Sequence, residues 1–288
     1  MPRDIGKILA SFLLAAAIAG CTSLRKPVAE DVSTVTSFDG SPIAYGVQGR
    51  GDITVVFIHC WTCNHKFWQP QIDHFSREYR VVWLDLAGHG LSGSMRDDYT
   101  MQAFGQDVAA VVNWVGGDQV ILVGHSMGGP VAIEAAKLLG DRVVGVVGVD
   151  TFYTPFAWPK SEEEIEGFVK PFKDDFQGAS EKLVRSMFTP NADPAVVDWV
   201  VKQMGVTDPK LGVSAMYSIF RWNAENNPDA LKQYAGVLSN INGAPSGKEV
   251  ELDESVILVP HVGHFIAQAK PDEFNRILDT IIAEYRAH

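Results

Sequence analysis

Apolar and polar residues alternate with two different periods along this chain. Ser33 to Ser37 and Pro42 to Gln48 alternate around Asp39-Gly40, which predicts an antiparallel hairpin. Continuous apolar runs follow at Ile53-Thr-Val-Val-Phe-Ile-His59, Arg80-Val-Val-Trp-Leu-Asp85, Gln119-Val-Ile-Leu-Val-Gly124 and Val143-Val-Gly-Val-Val-Gly-Val149. Such runs predict strands buried on both faces, as in a parallel sheet. Between them, Met101 to Val115 carries Phe104, Val108, Val111, Val112 and Val115 at helical spacing and stops at Gly116-Gly117. Gly128 to Leu139 predicts another helix, with Pro130 tolerated in its first turn and Gly140 just past its end.

After residue 150 the pattern changes. Residues 151–234 are aromatic, charged and broken by prolines, with no buried-strand run. Ser161 to Phe172 and Pro194 to Gln203 read as helices of an inserted cap. The alternation then resumes with strands at Gly236–Asn242 and Ser255–Val259 and a helix from Pro271 to Arg286. The expected fold class is α/β: a mostly parallel sheet with helices on both faces, formed by residues 33–150 and 235–288, with a helical cap at 151–234.

The N-terminal residues carry a different signal. Arg3 and Lys7 precede an apolar, Ala-rich stretch from Ile8 to Gly20, too short for a comfortable membrane span. It ends as Ile18-Ala19-Gly20-Cys21, which resembles a bacterial lipobox. That resemblance implies a lipoprotein signal peptide at 1–20, lipidation of Cys21, and a tether at 21–32 holding the protein to the cell envelope. Thr22, where Gram-negative lipoproteins retained in the inner membrane tend to have aspartate, favours the outer membrane.

Composition removes some partners. A net charge of −11 would be repelled by a phosphate backbone, so nucleic acid is not expected. Export would leave Cys60 and Cys63, too few for a four-cysteine zinc site, and no matching histidine pair lies nearby. Their i, i+3 spacing at a strand end permits a disulfide in an oxidising compartment.

Candidate chemistry centres on Gly124-His-Ser-Met-Gly128. A G-x-S-x-G pentapeptide alone is a weak signal, but here it joins a predicted strand to a predicted helix, the setting in which a sharp turn lifts the serine hydroxyl clear of a sheet. A serine hydroxyl needs a base, and His264 follows the last strand, in the chain order that places serine first and histidine last. His261, in His261-Val-Gly-His-Phe265, is its rival.

Taken together, His59-Cys-Trp-Thr-Cys-Asn64, Asp85-Leu-Ala-Gly-His-Gly-Leu-Ser-Gly93 and Gly124-His-Ser-Met-Gly-Gly129 resemble capped bacterial serine hydrolases of the α/β-hydrolase superfamily. The resemblance covers nearly all of residues 33–288. It implies Ser126 as nucleophile, His264 as base, and the backbone N–H groups of Trp61 and Met127 as an oxyanion hole. It implies no metal or organic cofactor and a small-molecule substrate, a small to medium, largely apolar ester or related acyl compound. Cap aromatics (Phe152, Tyr153, Phe156, Trp158, Phe220 and Trp222) are candidates for lining its pocket or for packing the cap.

Two departures matter. Relatives carry glycine where this chain has Cys60, and they place the triad acid where this chain has Ala244. Asp150, Glu251 and Asp253 are the substitutes in view. Asp150 ends the strand beside the nucleophile's and should share its edge, whereas Glu251 and Asp253 should enter at the opposite end. Two other readings stay open: a non-catalytic binding protein on a hydrolase scaffold, and a redox protein using Cys60-Trp-Thr-Cys63.

Overall fold

Every predicted strand takes its place in one eight-stranded sheet of the computed structural model, which describes residues 32–247 and 253–287. The leader 1–20, Cys21, the tether up to residue 31 and Glu251 lie outside the described residues. The strands are β1 (Ser33–Thr36), β2 (Pro42–Gln48), β3 (Ile53–Ile58), β4 (Arg80–Leu84), β5 (Gln119–His125), β6 (Val143–Val149), β7 (Leu238–Ala244) and β8 (Val256–Pro260). Their spatial order is β1-β2-β4-β3-β5-β6-β7-β8. Only the β1–β2 and β2–β4 pairs are antiparallel.

The continuous apolar runs are explained by the two faces they serve. Alternate residues of a strand point to opposite sides of the sheet. Val56, Ile58, Val120 and Leu122 join one core with α2 (Met101–Val115) and α3 (Gly128–Leu139). Val55, Phe57, Ile121 and Val123 join another with α1 (Gln69–Phe75) and α10 (Pro271–Arg286). These eight side chains are fully buried. Each contributes on the order of 1.5–3 kcal/mol, so the sheet is a stiff platform for the loops at its carboxyl edge.

Register places the functional candidates at that edge. Gly124 pairs with Gly148 and His125 with Val149 across β5 and β6, and Val149 pairs with Ile241 across β6 and β7. The residues that follow these strands therefore emerge together.

The region between β6 and β7 holds five helices rather than the two expected: α4 (Glu162–Asp174), α5 (Phe176–Ser186), α6 (Pro194–Met204), α7 (Pro209–Glu225) and α8 (Asn227–Tyr234). α4 opens on a full capping box, Ser161 with Glu164, and continues through Pro171 to Asp174. α5 buries Ser180 and Val184 and half-buries Phe176, Ala179 and Leu183, an apolar set at helical spacing in a stretch where no helix is predicted. α7 does bury a helical set (Leu211, Ala215, Met216, Ile219, Phe220), and Asp208 caps its first turn just before Pro209. β7 lies two residues later than expected, because Val237 is held in a turn by Tyr234 O. A short α9 (Ile266–Ala269) precedes α10.

Candidate active site

β5 runs into α3 through a turn in which Ser126 has φ of 53°. This left-handed backbone is uncommon outside glycine and is stored strain, held here by its surroundings. Ser126 N–H donates to Val149 O, and Gly129 N–H donates to Ser126 O. The close approach of helix to strand requires Gly124: a Cβ there would sit 2.1 Å from Gly128 O. The next turn is as tight, since a Cβ at Gly128 would lie 2.5 Å from Ile58 O.

Asp150, the residue after β6, also has positive φ, 47°. Its N–H donates to Ile241 O, and its Oδ1 accepts from Gly243 N–H at 2.8 Å. Its Oδ2 lies 2.6 Å from His264 Nδ1. An ionised carboxylate only accepts, so Nδ1 carries the proton and Nε2 is left with a lone pair. His264 itself sits between β8 and α9; its N–H donates to Met187 O and its carbonyl accepts from His125 Nε2 at 3.0 Å. Burial, and then the neighbouring His264, holds His125 well below the ordinary histidine range, so it stays a neutral donor.

The structure thus brings Asp150 into contact with His264 on a cavity that Ser126 also lines, and it does not do so for His261 or Asp253. His261 N–H is bonded to Ala244 O, and its side chain lines a separate cavity of about 280 Å³. Ala244 is the buried last residue of β7. Asp253 bonds Ser255 N–H and the Tyr153 side chain. β8 runs parallel to β7 from opposite Asn240 to opposite Ala244, so Asp253 enters at the amino end of that strand, as expected, and it makes no bond to His264.

The Trp61 loop follows β3. Among the described residues, neither Trp61 N–H nor Met127 N–H donates to a protein acceptor. The Trp61 ring is fixed by its Nε1–H bond to Gly212 O at 2.8 Å and by edge contacts with Phe172 and Phe176. Cys60 and Cys63 are joined as a disulfide and buried. An exchanging Cys-x-x-Cys pair is accessible; this one is buried, in a turn ahead of the 3-10 turn His65–Trp68 that runs on into α1.

Ser126, Asp150, His264, Cys60 and Trp61 share one cavity of about 440 Å³. Its other walls are mostly side chains of the 151–234 insertion, among them Phe156, Trp158, Phe168, Leu183, Met204, Met216 and Phe220. Among the described residues, no lysine or arginine lines it. Of the six cap aromatics singled out from sequence, Phe156, Trp158 and Phe220 are on this wall. Phe152 and Trp222 are core, Trp222 donating to Glu134 Oε1, and Tyr153 faces Asp253. The methionines on the wall were missed, although Met216, Ile219 and Phe220 stand at i, i+3 and i+4 of one helix. A larger groove of about 970 Å³ runs along α7 past Lys173, Tyr217, Arg221 and Trp222, and holds none of the candidate catalytic or oxyanion-hole residues. Among the described residues, no group of histidines, cysteines and carboxylates could hold a metal ion.

Comparison with known proteins agrees with the topology. Residues 53–191 match the sequence model of the alpha/beta hydrolase fold family. A bifunctional esterase/perhydrolase of Acinetobacter calcoaceticus is 36% identical over 146 residues, 50% of this chain and 52% of that protein. A pimeloyl-[acyl-carrier protein] methyl ester esterase of Edwardsiella ictaluri is 30% identical over 162 residues, 55% of this chain and 60% of that protein. The chain therefore spans about half the length of the curated relatives it matches. A thermophilic esterase from Thermogutta terrifontis superposes with a TM-score of 0.74 over 88% of this chain and 98% of that structure, at 20% identity.

Proposed function

From the α/β-hydrolase fold of this chain we propose a serine hydrolase that cleaves a neutral, small to medium acyl ester through an acyl-enzyme. The observation that carries the reading is the 2.6 Å contact of Asp150 with His264, opening with Ser126 onto one apolar cavity. In the proposed cycle, Ser126 Oγ attacks the ester carbonyl while His264 Nε2 takes its proton. Asp150 keeps His264 in the required tautomer and offsets the imidazolium charge as it forms. The tetrahedral oxygen receives the N–H groups of Trp61 and Met127, aimed where charge develops. Collapse returns the proton from His264 to the leaving alcohol, and a water repeats the sequence to free the acid and restore Ser126.

The cavity wall supports the substrate class. It is apolar, and among the described residues it has no cation to hold a charged acyl chain, so uncharged acyl groups are favoured. The relatives whose names record esterase activity point the same way. A series of p-nitrophenyl esters of rising chain length tests this, with Ser126→Ala as control. A fluorophosphonate probe should label the wild type and leave Ser126→Ala unlabelled; equal labelling of both removes Ser126 from the mechanism.

The non-catalytic alternative drew its support from Ala244, and the Asp150–His264 contact removes that support. We further propose that Cys21 is the lipidated mature N-terminus, on the Ile18-Ala19-Gly20-Cys21 sequence. Intact mass of detergent-extracted protein should give a chain starting at Cys21 plus acyl groups. A soluble protein that retains residues 1–20 would end that proposal.

A further inference from the structure

The Trp61 loop is held in a way that bears on where its N–H points. A peptide unit is planar, so the C=O of Cys60 and the N–H of Trp61 point in opposite directions from one rigid plane. Whatever fixes the carbonyl aims the N–H. Cys60 O accepts two hydrogen bonds: one from Cys63 N–H at 3.1 Å and one from His59 Nδ1–H at 2.8 Å. His59 is anchored in turn, its Nε2 accepting from Leu86 N–H at 3.0 Å. Burial depresses its pKa, so the neutral tautomer that makes both bonds is the stable one.

The other donor, Cys63 N–H, depends on a turn that the intervening residue resists. Thr62 has φ of 56°, a conformation that a β-branched residue rarely adopts. The Cys60–Cys63 bridge holds the two ends of this turn 5.2 Å apart between Cα atoms. It also lines the cavity, through Cys60. Beyond the bridge, His65 Nδ1 and N–H both meet the buried Asp85 carboxylate, which pins the far end of the loop.

We propose that the Cys60–Cys63 disulfide is a positioning element for catalysis: by closing the turn it keeps Cys63 N–H on Cys60 O and so aims Trp61 N–H at the oxyanion. This rests on the serine-hydrolase reading above. It also accounts for a cysteine where the related loops have glycine. The enzyme so built works in an oxidising compartment and loses rate when the bridge is opened.

The test uses the purified protein and p-nitrophenyl butyrate, with the bridge intact, with the bridge reduced, and in a Cys60→Ala/Cys63→Ala variant. Dithiothreitol supplies two electrons and two protons, leaving two cysteine thiols and the cyclic oxidised reagent; thiol counting verifies the state. Deleting an oxyanion donor costs about 10²–10³ in kcat. Misaiming one should cost about 10- to 100-fold, with KM changed by less than roughly twofold, since the ground-state ester does not use the donor fully. Affinity for an alkyl boronate, whose serine adduct is tetrahedral, should fall in step with kcat. Circular dichroism checks that the fold persists, and reoxidation should restore the rate. Equal kcat and boronate affinity with and without the bridge overturn the proposal while leaving the hydrolase reading intact. An oxidised wild type that turns over no ester and takes no fluorophosphonate overturns both.

Discussion

Replacing Asp150 by asparagine isolates one role in the proposed machinery. The change keeps side-chain shape, and asparagine tolerates the positive φ found at this position. One amide orientation leaves the oxygen on Gly243 N–H, preserving the bond that Asp150 Oδ1 makes at 2.8 Å. The NH2 group then faces His264 Nδ1, where Asp150 Oδ2 stood at 2.6 Å. Two N–H groups cannot point at each other, so His264 must move its proton from Nδ1 to Nε2. That nitrogen then has no lone pair to accept the Ser126 proton, and no carboxylate offsets the imidazolium. Both side chains are only about one-sixth exposed, 17% for Asp150 and 15% for His264, so water does not substitute for the lost charge. The same substitution in a serine protease triad lowers kcat by about 10⁴, which is roughly 5.5 kcal/mol of barrier. We expect a loss of that order in kcat for p-nitrophenyl butyrate, with KM little changed. Asp253→Asn should leave kcat near wild type, because Asp253 bonds Ser255 and Tyr153 instead. An Asp150→Asn enzyme with intact circular dichroism and activity within tenfold of wild type would refute the assignment.

Other consequences follow from the same coordinates. Burial depresses the pKa values of His59 and His125, and that of His89 to about 3, so they stay neutral when folded but bind protons below about 6.5 when unfolded. As pH falls below about 6.5 the unfolded chain therefore holds more protons, and stability should fall, by about 1.4 kcal/mol per pH unit for each net proton, down to about pH 3 for His89. Asp107, pushed up by burial, acts in the opposite direction but accounts for one group against three; urea midpoints that stay flat or rise across this range would contradict the argument. Gly124→Ala would place a Cβ 2.1 Å from Gly128 O, which is backbone and cannot turn aside. A cost of roughly 3 kcal/mol or outright misfolding is expected, and a wild-type urea midpoint would show that the elbow is looser than described. Met216→Trp puts bulk into the cavity wall. It should reduce kcat/KM for p-nitrophenyl octanoate about tenfold relative to the acetate, the scale of a methylene or two in an apolar pocket; an unchanged ratio would move the acyl site elsewhere.

The strand and helix pattern was readable because burial on both faces of a sheet imposes a local signal. Val55, Val56, Phe57 and Ile58 are all apolar since each face of β3 meets a core, and no knowledge of partners is needed to see that. Gly124-His-Ser-Met-Gly128 was readable for a similar reason: a turn this tight admits only glycine at certain positions, so the constraint is written in consecutive residues. The insertion was harder. α5 has an apolar face (Phe176, Ala179, Leu183, Val184), but it is short, contains Gly178 and is otherwise polar, so it does not stand out from its surroundings. The pairing of Asp150 with His264 spans 114 residues and depends on how β6, β7 and β8 align, which no local pattern encodes. Sequence could narrow the acid to a residue after a parallel strand or one before the last strand. Sheet register brought Asp150 to His264 Nδ1, and packing of the loops and helices around that edge turned His261 into a neighbouring cavity and sorted the cap aromatics into cavity wall and core. The physical reason is that backbone preference and burial act on neighbours in sequence, whereas a catalytic contact is a tertiary distance set by sheet alignment.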